Sequence, residues 1–276
     1  MRSKIVNYLL ITLLFSAQLI KAQDSTQTNI NYKVRVDKSY IKSYFTDVPK
    51  VIISPVRWNK SEWISCAAVI TTAGIFYSRD KEVMKWVQDN LPNHFESMNT
   101  YFFDPYGKGY YTIPLMAGTY LLGTYNKNNK LKAVSMDFFK ATAFSGLLIT
   151  GIKHLAHRNR PFQTDPLNPY IWDGPNGNLS HTSFPSGHTI MAFTFASVIS
   201  EHYKDKVWIP ITVYTIAGLE AYARLGAKKH WASDVIIGGA MGYAIGTWVV
   251  NHSSYKFMVN PWINKQTVGV NTYFPI

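Results

Sequence analysis

The sequence predicts an all-α protein, a helical bundle whose site lies at converging helix ends, with short irregular N- and C-terminal extensions. Three observations carry this. Apolar runs of helical length recur between Ser61 and Val250, each bounded by polar or turn-forming residues. Stretches of strand-like, β-branched character are confined to Tyr32–Val36 and Val51–Val56, ahead of that region. The residues best suited to gripping an anion fall at the ends of the helical runs rather than within them.

The elements follow in order. Arg2 and Lys4 precede the apolar run Tyr8–Phe15, and Ala22 places a small residue before Gln23, so residues 1–22 read as an export signal. The mature chain would begin near Gln23, outside the cytoplasm, and residues 23–60 form an N-terminal extension whose start, Gln23–Asn29, is polar and expected to be disordered. Ser61 is the expected N-cap of a helix running to about Tyr77, with a short amphipathic helix over Lys81–Asp89 carrying Val83, Met84, Trp86 and Val87. Residues 92–110, rich in aromatic, Gly, Pro and Asn residues, read as a long loop. Further helices are expected near 111–125, 131–153, 188–203, 207–225 and 230–250, and residues 251–276 form the C-terminal extension. Gly238, Gly242 and Gly246 recur every four residues and predict a smooth ridge for close approach of another helix. With no linker dividing it, 61–250 is one helical domain, and 276 residues can bury one sizeable core.

Composition narrows the partners. The chain carries 28 Lys and Arg against 16 Asp and Glu, a net charge of +12. Without Arg2, Lys4 and Lys21 it still carries +9, so the basic character favours anionic partners such as phosphate esters and anionic lipid. No clustered basic tail is present, which argues against nucleic acid. Cys66 is the single cysteine, sits among Ile64, Ala67, Ala68 and Val69, and is expected as a buried core thiol. The mean hydropathy of −0.08 is low for a six-span protein, and helices 111–125 and 188–203 fall short of the ~20 residues of a membrane span. Against this, Lys127, Lys130, Lys132, Lys204 and Lys206 gather in loops opposite the proposed site, as a cytoplasmic face would show. The expectation is an exported, periplasmic protein, soluble or membrane-associated, with its site facing the periplasm.

Three segments carry the chemistry: Lys153–Pro161 (KHLAHRNRP), Pro185–His188 (PSGH) and Arg224–Asp234 (RLGAKKHWASD). Lys153, Arg160 and Arg224 supply fixed cationic groups for a phosphate, and Lys153 and Arg160, seven residues apart, would share one face if their helix persists. Ser186 and Gly187 open a helix whose free N–H groups favour an anion, with His188 beside it. His230 begins another helix, and Asp234, four residues on, is expected to accept its Nδ1 proton and leave Nε2 free to attack phosphorus. Neutral His230 and protonated His188, both starting near a pKa of ~6.5, predict a bell-shaped pH profile. His154, His157, Arg158, Lys228 and Lys229 read as solvated or phosphate-rim residues, with a structural role for His154 as the alternative. The 162–184 connection, with Asp165, Tyr170, Trp172, Asp173 and His181, is either a lid or a packed surface loop. His154, His157, His181 and His202 form no metal-site pattern, and no metal or other cofactor is assigned.

The ordered set Lys-x6-Arg-Pro, Pro-Ser-Gly-His and Arg-x5-His-x3-Asp resembles the type 2 phosphatidic acid phosphatase and haloperoxidase superfamily over about 150–250. The resemblance implies that His230 forms a phosphohistidine, that His188 protonates the leaving oxygen, and that Lys153, Arg160, Ser186, Gly187 and Arg224 grip phosphate. Ala223 stands where the family often has Ser, which removes one hydroxyl donor. The implied activity is hydrolysis of a phosphate monoester or diphosphate, of a phosphatidate, isoprenyl diphosphate or lipid A type or of a small ester. The alternatives are a nonspecific periplasmic acid phosphatase, a vanadate-dependent haloperoxidase and a silent anion-binding membrane protein. The compact length favours the phosphatase, and intact His188, His230 and Asp234 argue against a silent protein.

Overall fold

The computed structural model describes residues 34–92, 94–175 and 182–253 in full, and the backbone of 258–264 and 267–273. The expected signal peptide, Gln23–Asn29 and His181 lie outside the described residues. Ten α-helices are found among the described residues: α1 Lys38–Thr46, α2 Val48–Ile53, α3 Lys60–Asp89, α4 Phe95–Met98, α5 Asp104–Gly107, α6 Thr112–Tyr125, α7 Asn129–Ala156, α8 Gly187–His202, α9 Trp208–Gly226 and α10 Ala232–Asn251. The long helices α3 and α6–α10 form the bundle, with α8 packed against α7, α9 and α10. Its core joins Phe138, Ala141 and Phe144 of α7, Phe195 and Ile199 of α8, Val213 of α9 and Ile245 and Val249 of α10.

Where the structure departs from the sequence expectations, side-chain capping and packing explain the difference. The helices expected over 61–77 and 81–89 are one, α3, and its start is set at Asn59 rather than Ser61. The Asn59 side chain accepts from the Glu62 N–H at 3.0 Å, and the Glu62 carboxylate accepts from the Asn59 N–H at 2.7 Å, a reciprocal cap that Ser61 cannot make. The described parts of the extensions hold regular elements. Asp37 caps α1 by accepting from the Tyr40 N–H at 2.9 Å, and the Tyr40 hydroxyl donates to the Met136 carbonyl of α7 at 2.8 Å. Val51–Val56, expected as extended, lies in α2 and a 3₁₀ turn, tied down where Lys140 of α7 pairs with Asp47 at 2.5 Å. Residues 92–110 hold α4, a single π turn over Asn99–Phe103 and α5. At the C-terminus, β1 Met258–Asn264 and β2 Thr267–Tyr273 pair antiparallel.

The glycine ridge on α10 faces α8. A Cβ on Gly242 would lie 2.4 Å from the Ile190 carbonyl oxygen, and one on Gly246 would lie 1.9 Å from Ser197 Oγ, so only glycine permits this approach. The outward faces of the bundle are apolar. Residues 63–78, 109–126, 141–152, 189–200, 207–219 and 235–251 carry no charged side chain, and Ile64, Ile70 and Ile75 of α3, Leu121 of α6, Leu147 of α7 and Ile211 of α9 are all exposed within them. Cys66 is half-buried on this face rather than in the core. By length and composition one helix among the described residues, α10, is apolar enough to cross a membrane, and it also packs in the core.

Candidate active site

Lys153 and Arg160 meet, but not by sharing a helix. α7 ends at Ala156, His157 closes it in the left-handed conformation at φ 42°, and Arg160 is extended. Both side chains instead donate to the Thr182 carbonyl, Lys153 Nζ at 2.8 Å and Arg160 Nε at 3.1 Å. The carbonyl of Thr182 thus gathers the two cations of the first segment beside the second. Gly187 opens α8 with the Lys153 stem alongside it. The Ser186 N–H is taken by the Asp234 carbonyl at 3.2 Å and its hydroxyl pairs with Thr189 at 2.8 Å, so Ser186 offers an anion no free backbone donor. The start of α8 past Ser186 is the part of the turn open to one.

His230 is buried, and its Nδ1 lies 2.7 Å from the Ser183 carbonyl oxygen. An acceptor there requires a proton on Nδ1 and leaves the Nε2 lone pair free. This corrects the expected role of Asp234. Its Oδ2 accepts from Ser183 Oγ at 2.5 Å and from the Trp231 N–H at 2.9 Å, and its Oδ1 accepts from Arg158 Nη1 at 2.5 Å. Asp234 therefore fixes Ser183, whose carbonyl fixes His230. Helical spacing puts Asp234 on the right face, but its position in the first turn of α10 turns the carboxylate back onto the N-terminal amide.

His188 and Arg224 meet through a residue in the segment expected to be a loop. Asp104 Oδ1 lies 3.3 Å from His188 Nε2 and 3.1 Å from Arg224 Nη1, while Lys108 holds the other oxygen at 2.5 Å. Arg224 also reaches Asn99 Oδ1 at 2.5 Å. Ala223 is fully buried.

Residues 135–258 match the PAP2 superfamily. A lipid A 1-phosphatase of Porphyromonas gingivalis is 37% identical over 73 residues, 26% of this chain, and that alignment takes in only 16% of the relative's own length. Two solved structures resemble the chain: Aquifex aeolicus LpxE, with a TM-score of 0.45 at 24% identity over 61% of this chain and 93% of that one, and the transmembrane PAP2 type phosphatidylglycerolphosphate phosphatase of Bacillus subtilis, with a TM-score of 0.48 at 20% identity over 66% and 92%.

Electrostatics in the candidate site follow from burial among cations. Burial lowers the Lys153 pKa to about 8, with Arg160 adding repulsion, and Arg160 is lowered by burial as well. Burial, Arg160 and Lys153 hold the His230 pKa well below the ordinary histidine value. Burial, with Arg224 beside it, takes His188 to about 3. Against the penalty of burial, Lys108 and Arg224 draw Asp104 down to about 2. Both rings are therefore neutral in the free site at neutral pH, and the expectation that they start near 6.5 does not hold.

Arg158 is the largest departure from the sequence reading. Instead of a solvated rim residue it is wholly buried in the PAP2 region, between Asp80 of α3 at 2.7 Å and Asp234 of α10 at 2.5 Å. Its Nε and Nη2 also donate to the Pro169 carbonyl at 3.0 and 2.8 Å, and its guanidinium lies over the rings of Tyr77, Trp172 and Trp231. Asp80 further accepts from the Ser233 hydroxyl at 2.6 Å. The described part of the 162–184 connection is packed into this network: Asn159 and Arg158 bridge to Thr182 and Trp172, and the Trp172 indole donates to the Tyr77 hydroxyl at 3.1 Å. Lys228 and Lys229 are exposed, and His154 and His157 are half-buried near the end of α7. Sequence reasoning missed Asp80, Asp104 and Ser183. Asp80 was hidden because it sits in the charged run Arg79–Glu82, where nothing local marks it as buried.

Proposed function

We propose that this PAP2 protein removes phosphate from a lipid-borne monoester or diphosphate through a phosphohistidine on His230. The observation that carries the reading is the 2.7 Å contact from His230 Nδ1 to the Ser183 carbonyl, which aims an unprotonated Nε2 into a site ringed by Lys153 and Arg160. His230 Nε2 attacks phosphorus, and the P–O bond to the leaving group breaks. His188 donates a proton to the departing oxygen. Water then attacks the phosphohistidine, giving its proton to His188 and releasing phosphate with His230 restored. Lys153, Arg160, Arg224 and the start of α8 at Gly187 neutralise the equatorial oxygens throughout. A bound dianion opposes the lowering of the His188 pKa by Arg224 and lets it carry the proton it must deliver.

The charge-free outer faces support a lipid substrate. A helix stretch with no charged side chain and most of its surface exposed, like residues 63–78 of α3, is stable only when covered, and hydrocarbon covers it without stranding a charge. The charged site groups all lie beyond one end of these stretches, and Lys127, Lys130, Lys132, Lys204 and Lys206 lie at the other, which favours a site facing away from the cytoplasm. The order of the six long helices brings residues 60 and 252 to the same end. Export and removal of residues 1–22 would thus accompany a bundle bound to the outer leaflet, whereas an intact start would accompany one that crosses the bilayer.

Phosphate release from detergent-dispersed phosphatidate, isoprenyl diphosphate and lipid A phosphates, beside a short soluble ester, tests the reading. A lipid phosphate should give the higher kcat/KM, and His230→Ala should abolish turnover and any acid-labile phosphoenzyme. Full activity in His230→Ala would overturn the mechanism, and a clear advantage for the soluble ester would make the protein a nonspecific acid phosphatase.

A further inference from the structure

Glu220 stands one turn before Arg224 on α9 and is entirely buried. Its Oε1 lies 2.9 Å from Arg224 Nε, off the line of the N–H, neither oxygen has a well-aligned hydrogen bond among the described residues, and the Thr189 hydroxyl approaches the carboxyl group. The Tyr106 hydroxyl and His188 Nε2 nearby are in the same condition. Gly107 explains the crowding: a Cβ there would lie 2.6 Å from His188 Cδ2 and 2.8 Å from Glu220 Oε1. With only hydrogen at that position, the imidazole edge and the carboxyl group meet across the glycine. A buried carboxylate with one imperfectly aligned cation is poorly compensated, and the cheaper state is the neutral acid.

We propose that Glu220 is a positioning residue of this site, a proton-holding carboxyl group whose charge decides whether Arg224 is free to grip phosphate. The proposal rests on the phosphatase reading above. Ionised Glu220 holds Arg224 and competes with the dianion. When a phosphate dianion binds, one proton from solvent passes to the Glu220 carboxylate, and Arg224 turns its charge to the ligand. The groups facing Glu220 are Arg224 on its own helix, His188 and Thr189 from α8, and Asp104 and Tyr106 from α5, with Lys108 following on Asp104. Burial pushes the Glu220 pKa up to about 7, opposed by Arg224 and the Thr189 hydroxyl and reinforced by Asp104. Sharing Arg224 with a dianion weakens the opposing influence, so binding raises it further.

Two measurements on the full chain test this, using the wild type, Glu220→Gln and Glu220→Asp. Between pH 6 and 8 an acid titrating near 7 loses its proton and Lys153 loses half its charge, so wild-type kcat/KM should fall about twentyfold, roughly tenfold of it from Glu220 and mostly through KM. Glu220→Gln should fall only about twofold over that range, its limb moved up to where Lys153 titrates, and Glu220→Asp should keep the wild-type limb. Calorimetric titration with inorganic phosphate at pH 8, in buffers of differing ionisation enthalpy, should show proton uptake in the wild type and markedly less in Glu220→Gln. An unchanged limb and proton count in a Glu220→Gln protein that unfolds at the wild-type temperature overturns the proposal, with the phosphatase reading intact. Loss of His230-dependent turnover together with absence of phosphate binding in the wild type overturns both.

Discussion

Replacing Arg158 with methionine removes a guanidinium that touches no solvent and leaves Asp80 and Asp234, both wholly buried, facing each other without it. Breaking a buried pair by deleting one partner costs about 3–5 kcal/mol, because the remaining charge stays desolvated. For a chain of this size each kcal/mol lowers Tm by about 2–4 °C, so Arg158→Met should unfold roughly 6–20 °C below the wild type. Tryptophan fluorescence during heating reads this directly, since Trp172 and Trp231 stack on the guanidinium. The deficit should depend on pH. Burial already raises the Asp234 pKa and Arg158 is the main opposing influence, so without Arg158 the native state binds a proton more readily than the unfolded chain. Stability of the variant should then recover as pH falls toward the carboxylate range, and adding Asp80→Asn should restore part of it at pH 7. A variant that melts within about 3 °C of the wild type, the scale of 1 kcal/mol, while its KM for phosphate ester rises, would return Arg158 to the solvated rim.

Asp234→Asn should lower stability by at least about 2 kcal/mol, and Tm with it, as well as kcat, because the carboxylate binds Arg158, Ser183 and the Trp231 amide rather than the His230 ring; a fall in kcat at wild-type Tm would restore the direct orienting role. Because burial and its cationic neighbours lower both histidine pKa values, kcat/KM should hold as pH drops from 6.5 to 5, whereas an acid limb centred near 6.5 would show that His230 titrates as a solvated ring. Gly242→Ala should cost about 1–3 kcal/mol through collision with Ile190 and Phe193, while Gly118→Ala, with open space at its Cβ, should gain about 0.5–1 kcal/mol; thermal unfolding of the pair separates a packing ridge from generic helix propensity. Removal of quenching by brominated lipid in Trp63→Phe would mark the exposed face of α3 as lipid-bound, and an absence of any quenching in the wild type would show that lipid does not cover it.

The helices from α6 to α10 were legible because their apolar runs end in polar or turn-forming residues, and the ridge of Gly238, Gly242 and Gly246 was legible from its period of four. Asp104 was hidden because nothing near it in the chain ties it to Arg224, 120 residues on. The start of α3 at Asn59 rests on its reciprocal pair with Glu62, and its continuity through Asp80 goes with a buried contact to Arg158, 78 residues on.

The sequence by itself determined which residues the candidate site draws together: the three ordered segments name Lys153, Arg160, His188, Arg224 and His230, and their placement beside helix boundaries follows from local chemistry. Only the tertiary structure decided how they are held. Thr182, Ser183, Asp80 and Arg158 act through contacts between segments distant along the chain, and burial, which sets the charge of His188, His230, Lys153 and Glu220, is a property of the packed bundle. Local spacing places a side chain on a face of its own helix. Which partner it meets there depends on how the helices approach, and that is settled by packing at positions such as Gly107 and Gly242, where the absence of a side chain lets two elements close.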